Sequence, residues 1–588
     1  MPEYKSPQSE PGMEQRFLLI FLLMAVVIFG SQLFMKKYAP QQPPSNARPV
    51  QPIQPVQSQP APVPADSRAA LPRGRALAKP RTMQPAADRE ATTESEIVIE
   101  NDLYRITFTN RGAQVKSWVL KKFSDDQGHQ LDLVNPAASA RYGNPLSLWT
   151  YDEGLRGRLN SALYVASTEA NLEAPADLVF DYSSSGLMVH KAFHFDHSYV
   201  VHVQTSVFEN GSPVYAFPAW PAGFGDQTTL PAYASSQLEY QLNNDTEHLA
   251  IKKISGGNTL HGTFDWVGVS SSYFGAVFIP DSVDNLSVIT LRNAVDVLPD
   301  PSKPNETKPA EVLGVAVGRP GESSERLFVG PKSLQVLETV PVPLISGAER
   351  DLRGMVDFGW FGIIARPLFI WLRWTYQYVH NWGWAIVLQT FIITLALLPL
   401  RITQMKSALK MQRVQPKMKA IQEKYKKYGM RDPRKQEMQK EIAELYKVHG
   451  VNPIGGCLPL LIQMPFLIAY YKMLGAAIDL RQAHWLWIHD LSSRDPYLLL
   501  PAIMVISMFA MQKMTPQAGM DPAQQRMMNI MMPVMMGFIF YNLAAGLNLY
   551  YAESNLIMIA QQAIMNRTAL GQEMKEIAAK RARKKAGS

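Results

Sequence analysis

Cysteine and charge are both scarce in this sequence. A single cysteine among 588 residues excludes an intramolecular disulfide framework and any cysteine-rich zinc or iron–sulfur site. Charged residues amount to 18%, against about 25% in an average soluble protein. The sequence also lacks a P-loop, an HExxH zinc motif and a GxSxG nucleophile motif. We therefore predict no nucleotide, metal or other cofactor, no small-molecule substrate and no catalytic residue, and we expect the chain not to be an enzyme.

The N-terminal region combines an apolar run with a proline-rich stretch. Residues 17–35 are almost wholly apolar, and nineteen helical residues measure about 28 Å, close to the thickness of the hydrocarbon core. A signal peptide is the alternative, but the run is long and no small-residue cleavage site follows it directly. We predict a cytoplasmic segment at 1–16, transmembrane helix 1 at 17–35 and a disordered periplasmic tether at 36–94.

Residues 95–345 have the pattern of β structure. Apolar and polar side chains alternate over residues 104–108, and Asn210-Gly211 is a hairpin turn signal. Because no helical pattern of useful length interrupts the region, we predict one large antiparallel sandwich. Four histidines in it (190, 194, 197 and 202) are expected to be solvated strand residues, with a metal site as the alternative.

Beyond residue 345, apolar segments alternate with basic ones. The mixture of arginines and aromatics at 358–381 predicts an amphipathic helix at the membrane interface. Transmembrane helices 2 to 6 are predicted at 382–400, 457–474, 497–511, 527–543 and 546–564. Between and after them we predict a basic helical hairpin at 401–450, a cytoplasmic loop at 512–526 and a basic tail at 566–588.

The net charge of +8 is unevenly distributed. Residues 401–450 carry +9 and residues 567–588 carry +5, so the rest of the chain sums to −6. The positive-inside rule places both basic segments in the cytoplasm, and with five helices after it the β domain lies in the periplasm. The flank that follows helix 1 is more basic than the one before it, which alone predicts the reverse orientation of that helix; the five later helices outweigh it.

The hairpin has two interpretations, which the charge alone leaves open. It is either a solvated hairpin held near anionic lipid headgroups or a docking surface for a polyanion such as ribosomal RNA. The basic residues that either interpretation uses, in the hairpin and the tail, are Lys417, Lys419, Lys424, Lys426, Lys427, Arg431, Arg434, Lys435, Lys580, Arg581, Arg583, Lys584 and Lys585.

Polar side chains recur inside three of the predicted spans. An ionisable group at the centre of a span costs about 2.5–3.5 kcal/mol on insertion scales, so such groups usually face a cavity or a partner. The number of polar side chains in these spans suggests a hydrated interior, whereas an isolated threonine or tyrosine in a span is ordinarily a packing residue. Arg401 ends the second span, where a snorkelling boundary residue is the alternative. The polar residues within spans are Gln389, Thr390, Gln463, Tyr550, Tyr551, Glu553 and Asn555.

Several stretches match a known family. They are NWGWAIVLQTFI (381–392), VNPIGGCLPLLIQMP (451–465), LRQAHWLWIHDLSSRDPY (480–497), QKM (512–514) and LYYAESNL (549–556), with ENDLYRITFTNRGA (100–113) and FVGPK (328–332) in the β region. The sequence thereby resembles the YidC membrane protein insertases, relatives of the mitochondrial Oxa insertases, in their Gram-negative form with a large periplasmic domain.

The resemblance implies a fold and a mechanism. The fold is a polytopic α-helical protein of the cell inner membrane, with six transmembrane helices, a five-helix insertase core and a large all-β periplasmic sandwich. Its core encloses a hydrophilic groove open to the cytoplasm and to lipid but closed on the outer side, and it uses no ATP. The implied partners are nascent membrane proteins, the Sec translocon, the ribosome and anionic lipids.

The resemblance also implies site residues. Thr390 and Tyr551 match groove positions, with Tyr550 beside them, while Gln463, Met464 and Pro465 match the substrate-contacting span. The family usually has a groove arginine where this sequence has Thr394. Our hypothesis is that Arg401, two turns further along the same helix face, takes over that role, with Gln389 adding polarity. Glu553 is atypical at its position; it is expected to face the hydrated interior, with local pairing or protonation as the alternative.

Two other classes of function remain as alternatives. A secondary transporter needs internal repeats or half-helices at the membrane midplane, and the sequence has none that we recognise. A periplasmic module that binds glycan or peptide, with the spans as an anchor, needs aromatic side chains along a concave face of the sandwich.

Overall fold

The computed structural model describes residues 88–242, 245–282, 286–298, 306–343, 349–425, 428, 432–451, 458–514, 522–569, 571–573 and 576–577. The predicted helix 1 and most of the tether lie outside the described residues. Some of the predicted basic residues do too: Lys426, Lys427, Arg431, Lys580, Arg581, Arg583, Lys584 and Lys585.

Strands dominate the described chain up to residue 351. In chain order they are β1 (Glu96–Glu100), β2 (Tyr104–Thr109), β3 (Gln114–Ser124), β4 (Gln130–Asp132), β5 (Ser147–Trp149), β6 (Val165–Ala166), β7 (Leu172–Glu173), β8 (Ala176–Ser184), β9 (Leu187–Phe195), β10 (Val200–Glu209), β11 (Ser212–Pro213), β12 (Phe217–Trp220), β13 (Gln237–Leu242), β14 (Asp245–Ala250), β15 (Thr259–Leu260), β16 (Phe264–Ser270), β17 (Phe274–Pro280), β18 (Ser287–Val297), β19 (Lys308–Gly318), β20 (Glu322–Pro331), β21 (Pro341–Pro343) and β22 (Glu349–Asp351).

The strands form three large sheets and one hairpin. A ten-stranded sheet has the order β14-β13-β16-β17-β20-β10-β9-β8-β6, with β11 paired to β10. Two five-stranded sheets have the orders β4-β3-β2-β1-β7 and β15-β18-β19-β12-β5, and β21 pairs with β22. The pairings are antiparallel except for β1 with β7. The alternation predicted at 104–108 is present in β2, where Tyr104, Ile106 and Phe108 are buried, and the Asn210-Gly211 turn joins β10 to β11.

Short helices lie among the described strands, and helices dominate the second half of the described chain. In chain order they are α1 (Pro136–Tyr142), α2 (Glu153–Ser161), α3 (Leu230–Ala234), α4 (Leu334–Glu338), α5 (Gly362–Val379), α6 (Trp382–Ala396), α7 (Leu398–Lys424), α8 (Arg434–Val448), α9 (Leu458–Ala476), α10 (Leu499–Met514), α11 (Pro522–Phe540) and α12 (Ala545–Met565).

Four short helices lie among the strands, where the sequence pattern suggested none of useful length. Helix α1 begins after Asn135, whose side chain accepts a hydrogen bond from the Ala138 amide, and Pro136 occupies its first turn. Helix α2 begins after Asp152, which accepts from the Leu155 amide. Both starts carry cap signals in the sequence, but helices of seven and nine residues are too short for apolar periodicity to reveal.

The core of the β domain contains the carboxyl group of Glu325 on β20. Its side chain is 1% exposed, and the Ser323 hydroxyl donates to its Oε1. Burial disfavours the charged form and raises the pKa of the Glu325 carboxyl to about 8. At neutral pH the group is therefore protonated in the folded protein and ionised in the unfolded chain.

We expect Glu325 to make the β domain less stable as pH rises. Below about pH 4.5 both states are protonated, and between there and pH 8 the folded state binds more protons, which disfavours folding by about 3–5 kcal/mol at the upper end. The free energy of unfolding of Glu325→Gln, measured by chemical denaturation of the full-length protein, should therefore equal that of wild type near pH 4.5 and exceed it at pH 8. Glu322→Gln, on an exposed residue of the same strand, is the control. Parallel pH profiles for wild type and Glu325→Gln count against this expectation.

The chain bends sharply between α5 and α6. Helix α5 ends at His380, which adopts a left-handed conformation with φ of 52°, and the Asn381 side chain caps α6 by accepting from the Trp384 amide. Among the helices that the structure describes, none is both long and apolar enough by itself to meet a membrane-span criterion; α5 and α6 meet it together, with a bend of 120°.

The second predicted span is shorter than expected. The prediction placed its end at residue 400, but α6 ends at Ala396 and α7 begins at Leu398. Pro399 in the first turn of α7 explains the break, because it has no amide hydrogen to donate to the Leu395 carbonyl four residues earlier. Arg401 therefore belongs to α7, the first helix of the hairpin.

Helices α7 and α8 pack against each other as a hairpin. The Tyr446 hydroxyl contacts the Met418 sulfur at 3.1 Å, and Ile442 is buried between the helices. Lys424 pairs with Glu441, where N and O are 2.7 Å apart, and Tyr425 donates to the same carboxylate. The apolar stripes thus face each other and leave the basic side chains outside.

Candidate functional site

Three helices bring polar side chains to one layer. Gln389 and Thr390 lie on α6, Tyr470 on α9 and Tyr550 on α12. They stand five to eight residues from the Trp382, Ala476 and Ala545 ends of their helices, which is about 7–12 Å along each axis. All four side chains are at most 4% exposed.

The amide of Gln389 is fully engaged. Its Nε2 donates to the Leu368 carbonyl of α5 at 2.9 Å, and its Oε1 accepts from the Tyr470 hydroxyl at 2.5 Å. One side chain of α6 therefore links α5 and α9 through two direct hydrogen bonds.

Aromatic rings extend this layer across α12. The rings of Tyr470 and Tyr550 are stacked, with centroids 4.1 Å apart and an angle of 17°. Tyr551 lies edge-on to Tyr550 at 5.7 Å, and its ring meets Phe540 of α11 at 4.7 Å. Stacked and edge-on geometries are the favourable ones for aromatic pairs, so the layer has a defined packing.

The two threonines of α6 use their hydroxyls locally. Thr390 donates to the Ile386 carbonyl and Thr394 donates to the Thr390 carbonyl, each at 2.7 Å. This pattern satisfies a hydroxyl within its own helix and leaves it no donor for a neighbour. Thr394, which stands where the family usually has arginine, is 6% exposed.

Arg401 contacts the far end of α12. Its Nη1 lies 3.3 Å from the Met558 carbonyl and 3.5 Å from Gln561 Oε1. Gln561 in turn donates from Nε2 to the Thr394 carbonyl at 3.2 Å. Arg401 and Thr394 are thus connected through Gln561, so the guanidinium lies close to the aligned position although it belongs to another helix.

Glu553 and Asn555 have shielded polar atoms. Glu553 Oε2 and Asn555 Nδ2 are inaccessible to solvent and have no hydrogen-bond partner within the described part of the chain. Within the described residues no side chain is paired with Glu553, and its protonation stays a prediction. Pro465 lies inside α9, and the side chains of Gln463 and Met464 fall outside what the structure describes.

The described basic residues of the hairpin are partly paired. Lys417 Nζ lies 3.0 Å from His449 Nε2, and Lys424 pairs with Glu441. Arg434 stands over the Tyr428 ring, 4.6 Å from its centroid, and Lys419 is exposed. The side chain of Lys435 is outside the described set.

Tyr470 was absent from the residues that the sequence singled out. It lies in an apolar run, and the resemblance assigns it no role. A signal existed, because Tyr470 follows Gln463 by seven residues and therefore shares its helix face. Of the histidines of the β domain, His190 and His194 are exposed and pair with Asp181 and Asp177 at 2.6 and 2.7 Å, and the His194 ring lies 5.9 Å from the His202 ring on the neighbouring strand.

Comparisons with known proteins cover nearly the whole chain. The family model described as 60Kd inner membrane protein matches residues 374–573, and that described as YidC periplasmic domain matches residues 96–371. A protein named membrane protein insertase YidC from Geobacter metallireducens is 33% identical, over 96% of this chain and 100% of its own. A protein of the same name from Bordetella avium is 31% identical, over 82% of this chain and 84% of its own. A crystal structure of an active YidC insertase covers 82% of this chain and 94% of its own at 20% identity, with a TM-score of 0.34.

Proposed function

Because this chain belongs to the YidC membrane protein insertase family, we propose that its clients cross the membrane through a groove formed by α6, α9, α10 and α12. The protein inserts membrane proteins into the inner membrane and carries a periplasmic β-sandwich; the family is not one of catalytic enzymes. The groove extends from the Gln389–Tyr470–Tyr550 layer to Arg401. The observation that carries the proposal is the convergence of polar side chains from separate helices on one interior.

Insertion of a client through such a groove needs no nucleotide hydrolysis. A polar flank that enters lipid alone loses its hydrogen bonds to water, at a cost of several kcal/mol per group. Polar groups in the interior lower that cost. The proposed groove residues are Gln389, Thr390, Thr394, Tyr550, Tyr551 and Arg401. The proposed client contacts are Gln463, Met464 and Pro465. The apolar segment of the client then partitions into lipid, at about 25 cal/mol per Å² of apolar surface removed from water.

The proposal includes a topology of six transmembrane helices. Helix 1 at 17–35 and the helices α6, α9, α10, α11 and α12 cross the membrane, α5 lies in its outer interface, and the N- and C-termini are cytoplasmic. The charge distribution supports this arrangement, since the two basic segments then lie on the cytoplasmic side.

The basic hairpin supplies a surface for anionic partners. We assign ribosomal RNA and anionic lipid headgroups to the exposed faces of α7 and α8 and to the tail, and cooperation with the Sec translocon to the membrane core. The apolar stripes of α7 and α8 pack against each other, so the surface that remains exposed is basic. Exposed Lys419 and the outward-facing basic residues therefore support this assignment.

Photocrosslinking of a stalled nascent client tests the groove. A benzoylphenylalanine probe at Tyr551 replaces one aromatic side chain by another, and the matched control is a probe at Phe538 on α11, which is 83% exposed. We expect the crosslink yield of the client at Tyr551 to be at least about fivefold higher than at Phe538, because the polar flank passes the interior face of the groove. Equal yields at the two positions, or no crosslink at either, contradict the groove.

A further inference from the structure

We infer that Gln389 and Tyr470 form a hydrogen-bonded closure at the outer end of the groove, and that its strength sets how readily polar client flanks pass. This inference rests on the groove proposed above and names the residues that close it. The closure comprises the Leu368 carbonyl, the Gln389 amide, the Tyr470 hydroxyl and the Tyr550 ring.

The closure is a single connected unit. Gln389 has both ends of its amide occupied, by the Leu368 carbonyl at 2.9 Å and by the Tyr470 hydroxyl at 2.5 Å. The Tyr470 ring rests on Tyr550 at 4.1 Å, which transmits its position to α12. A client flank that separates α6 from α9 therefore has to break the bond between Gln389 and Tyr470.

The position of the unit fits an outer closure. Gln389, Tyr470 and Tyr550 lie within about 11 Å of the helix ends at Trp382, Ala476 and Ala545. These ends adjoin the loop that carries Trp485, whose ring meets the Trp384 ring at 5.7 Å. Arg401 and Gln561 lie toward the opposite ends, next to the hairpin. The Gln389 layer is therefore a polar layer near the outer end of the groove, and beyond it on α12 lies Asn548, whose amide donates to the Phe540 and Leu543 carbonyls.

The closure can also act as an exchange point. A buried amide that loses its partner regains stability by bonding to a polar group of the client backbone, since unpaired buried donors and acceptors are strongly disfavoured. Gln389 is suited to this because its amide both donates and accepts. Tyr470 is thus a positioning residue: it holds the Gln389 amide until a client displaces it.

Removing the Tyr470 hydroxyl tests the closure. Tyr470→Phe keeps the ring on Tyr550 but leaves Gln389 Oε1 unpaired, which destabilises the closed state. The measurement is the insertion of two clients that differ only in flank, one long and polar and one short and apolar, by the full-length protein at equal amount. We expect the ratio of long-flank to short-flank insertion to rise about fivefold. Tyr378→Phe, which removes an exposed hydroxyl on α5, should leave the ratio unchanged.

A double variant separates the closure from ordinary packing. In Gln389→Leu/Tyr470→Phe both side chains are apolar, so neither an amide nor a hydroxyl is left unpaired between α6 and α9, and the ratio should return to within about twofold of wild type. An unchanged ratio in Tyr470→Phe, an equal loss for both clients, or additive effects in the double variant overturns the inference. If the Tyr551 probe still crosslinks while the ratio does not respond, only the closure fails; if the Tyr551 probe fails, the groove itself is rejected.

Discussion

Replacing Arg401 with alanine is expected to lower insertion of small clients at least about tenfold in cells depleted of the wild-type protein. Hydrogen bonds that involve a charged group contribute about 1.5–3 kcal/mol each, and 1.4 kcal/mol corresponds to a factor of ten. Arg401 makes contacts to the Met558 carbonyl and to Gln561. The variant loses both, together with the only positive charge that the described contacts place beside Thr394.

Two further variants define what Arg401 contributes. Arg401→Lys keeps the charge but not the planar fork of donors, so it should insert at an intermediate level. Thr394→Arg in the Arg401→Ala background places the charge where the family usually has it, and we expect it to restore part of the activity. Pulse-labelled client digested from the periplasmic side by protease gives the inserted fraction. Normal insertion by Arg401→Ala, at an amount of protein equal to wild type, contradicts the role assigned to this residue.

Sequence patterns located the helices of the second half of the chain and a few of the strands, but not where these elements end. Alternation identified β2, since half-buried strands leave a period of two in the sequence, and the Asn210-Gly211 pair identified the turn after β10. The end of α6 was placed four residues late because apolarity continues through Leu397 to Leu400, whereas Pro399 breaks the backbone pattern earlier. Composition shows where a helix is apolar, whereas backbone hydrogen bonding determines where the helix ends.

The candidate site was only partly visible for a similar reason. Polar residues in apolar helices stand out, so Gln389, Thr390 and Tyr551 were found from the sequence and the resemblance. Their partners are harder to find, because the Leu368 carbonyl has no sequence signature and Tyr470 looks like ordinary packing. The contact between Arg401 and α12 spans 157 residues of chain and depends on helix packing that no local pattern encodes.

The motif FVGPK ends at Lys332, whose ammonium group meets a buried carboxylate in the β domain. Lys332 Nζ lies 3.0 Å from Glu239 Oε1, Ser270 donates to the same oxygen at 2.7 Å, and Glu239 is 0% exposed. Burial by itself raises the pKa of the Glu239 carboxyl, but the charges of Lys332 and His248 outweigh burial and lower it to about 2. The pair therefore joins β13 to the end of β20 in its ionised form.

Lys332→Ala is expected to destabilise the β domain by about 3–5 kcal/mol at neutral pH, because it removes the ammonium partner of the buried Glu239 charge and leaves His248, with Nδ1 3.6 Å from Oε1, as the remaining basic neighbour. Hydrogen–deuterium exchange of full-length protein in detergent, read on peptides that cover β13 and β16, measures the effect locally. Lys308→Ala, at an exposed lysine of β19, is the matched control. Unchanged exchange in Lys332→Ala contradicts the expectation.

The pH dependence of that defect distinguishes lost charge pairing from lost packing. In wild type the lowered pKa of Glu239 stabilises the fold above about pH 4.5, and this contribution disappears as pH falls toward 2. In Lys332→Ala burial dominates and Glu239 takes up a proton more easily, so the difference between variant and wild type should shrink on acidification. Glu239→Gln/Lys332→Met replaces the pair by neutral groups and should recover most of the stability at neutral pH, since paired removal leaves no buried charge. A defect of constant size from pH 7 to pH 4, also present in the double variant, would instead identify Lys332 as a packing residue.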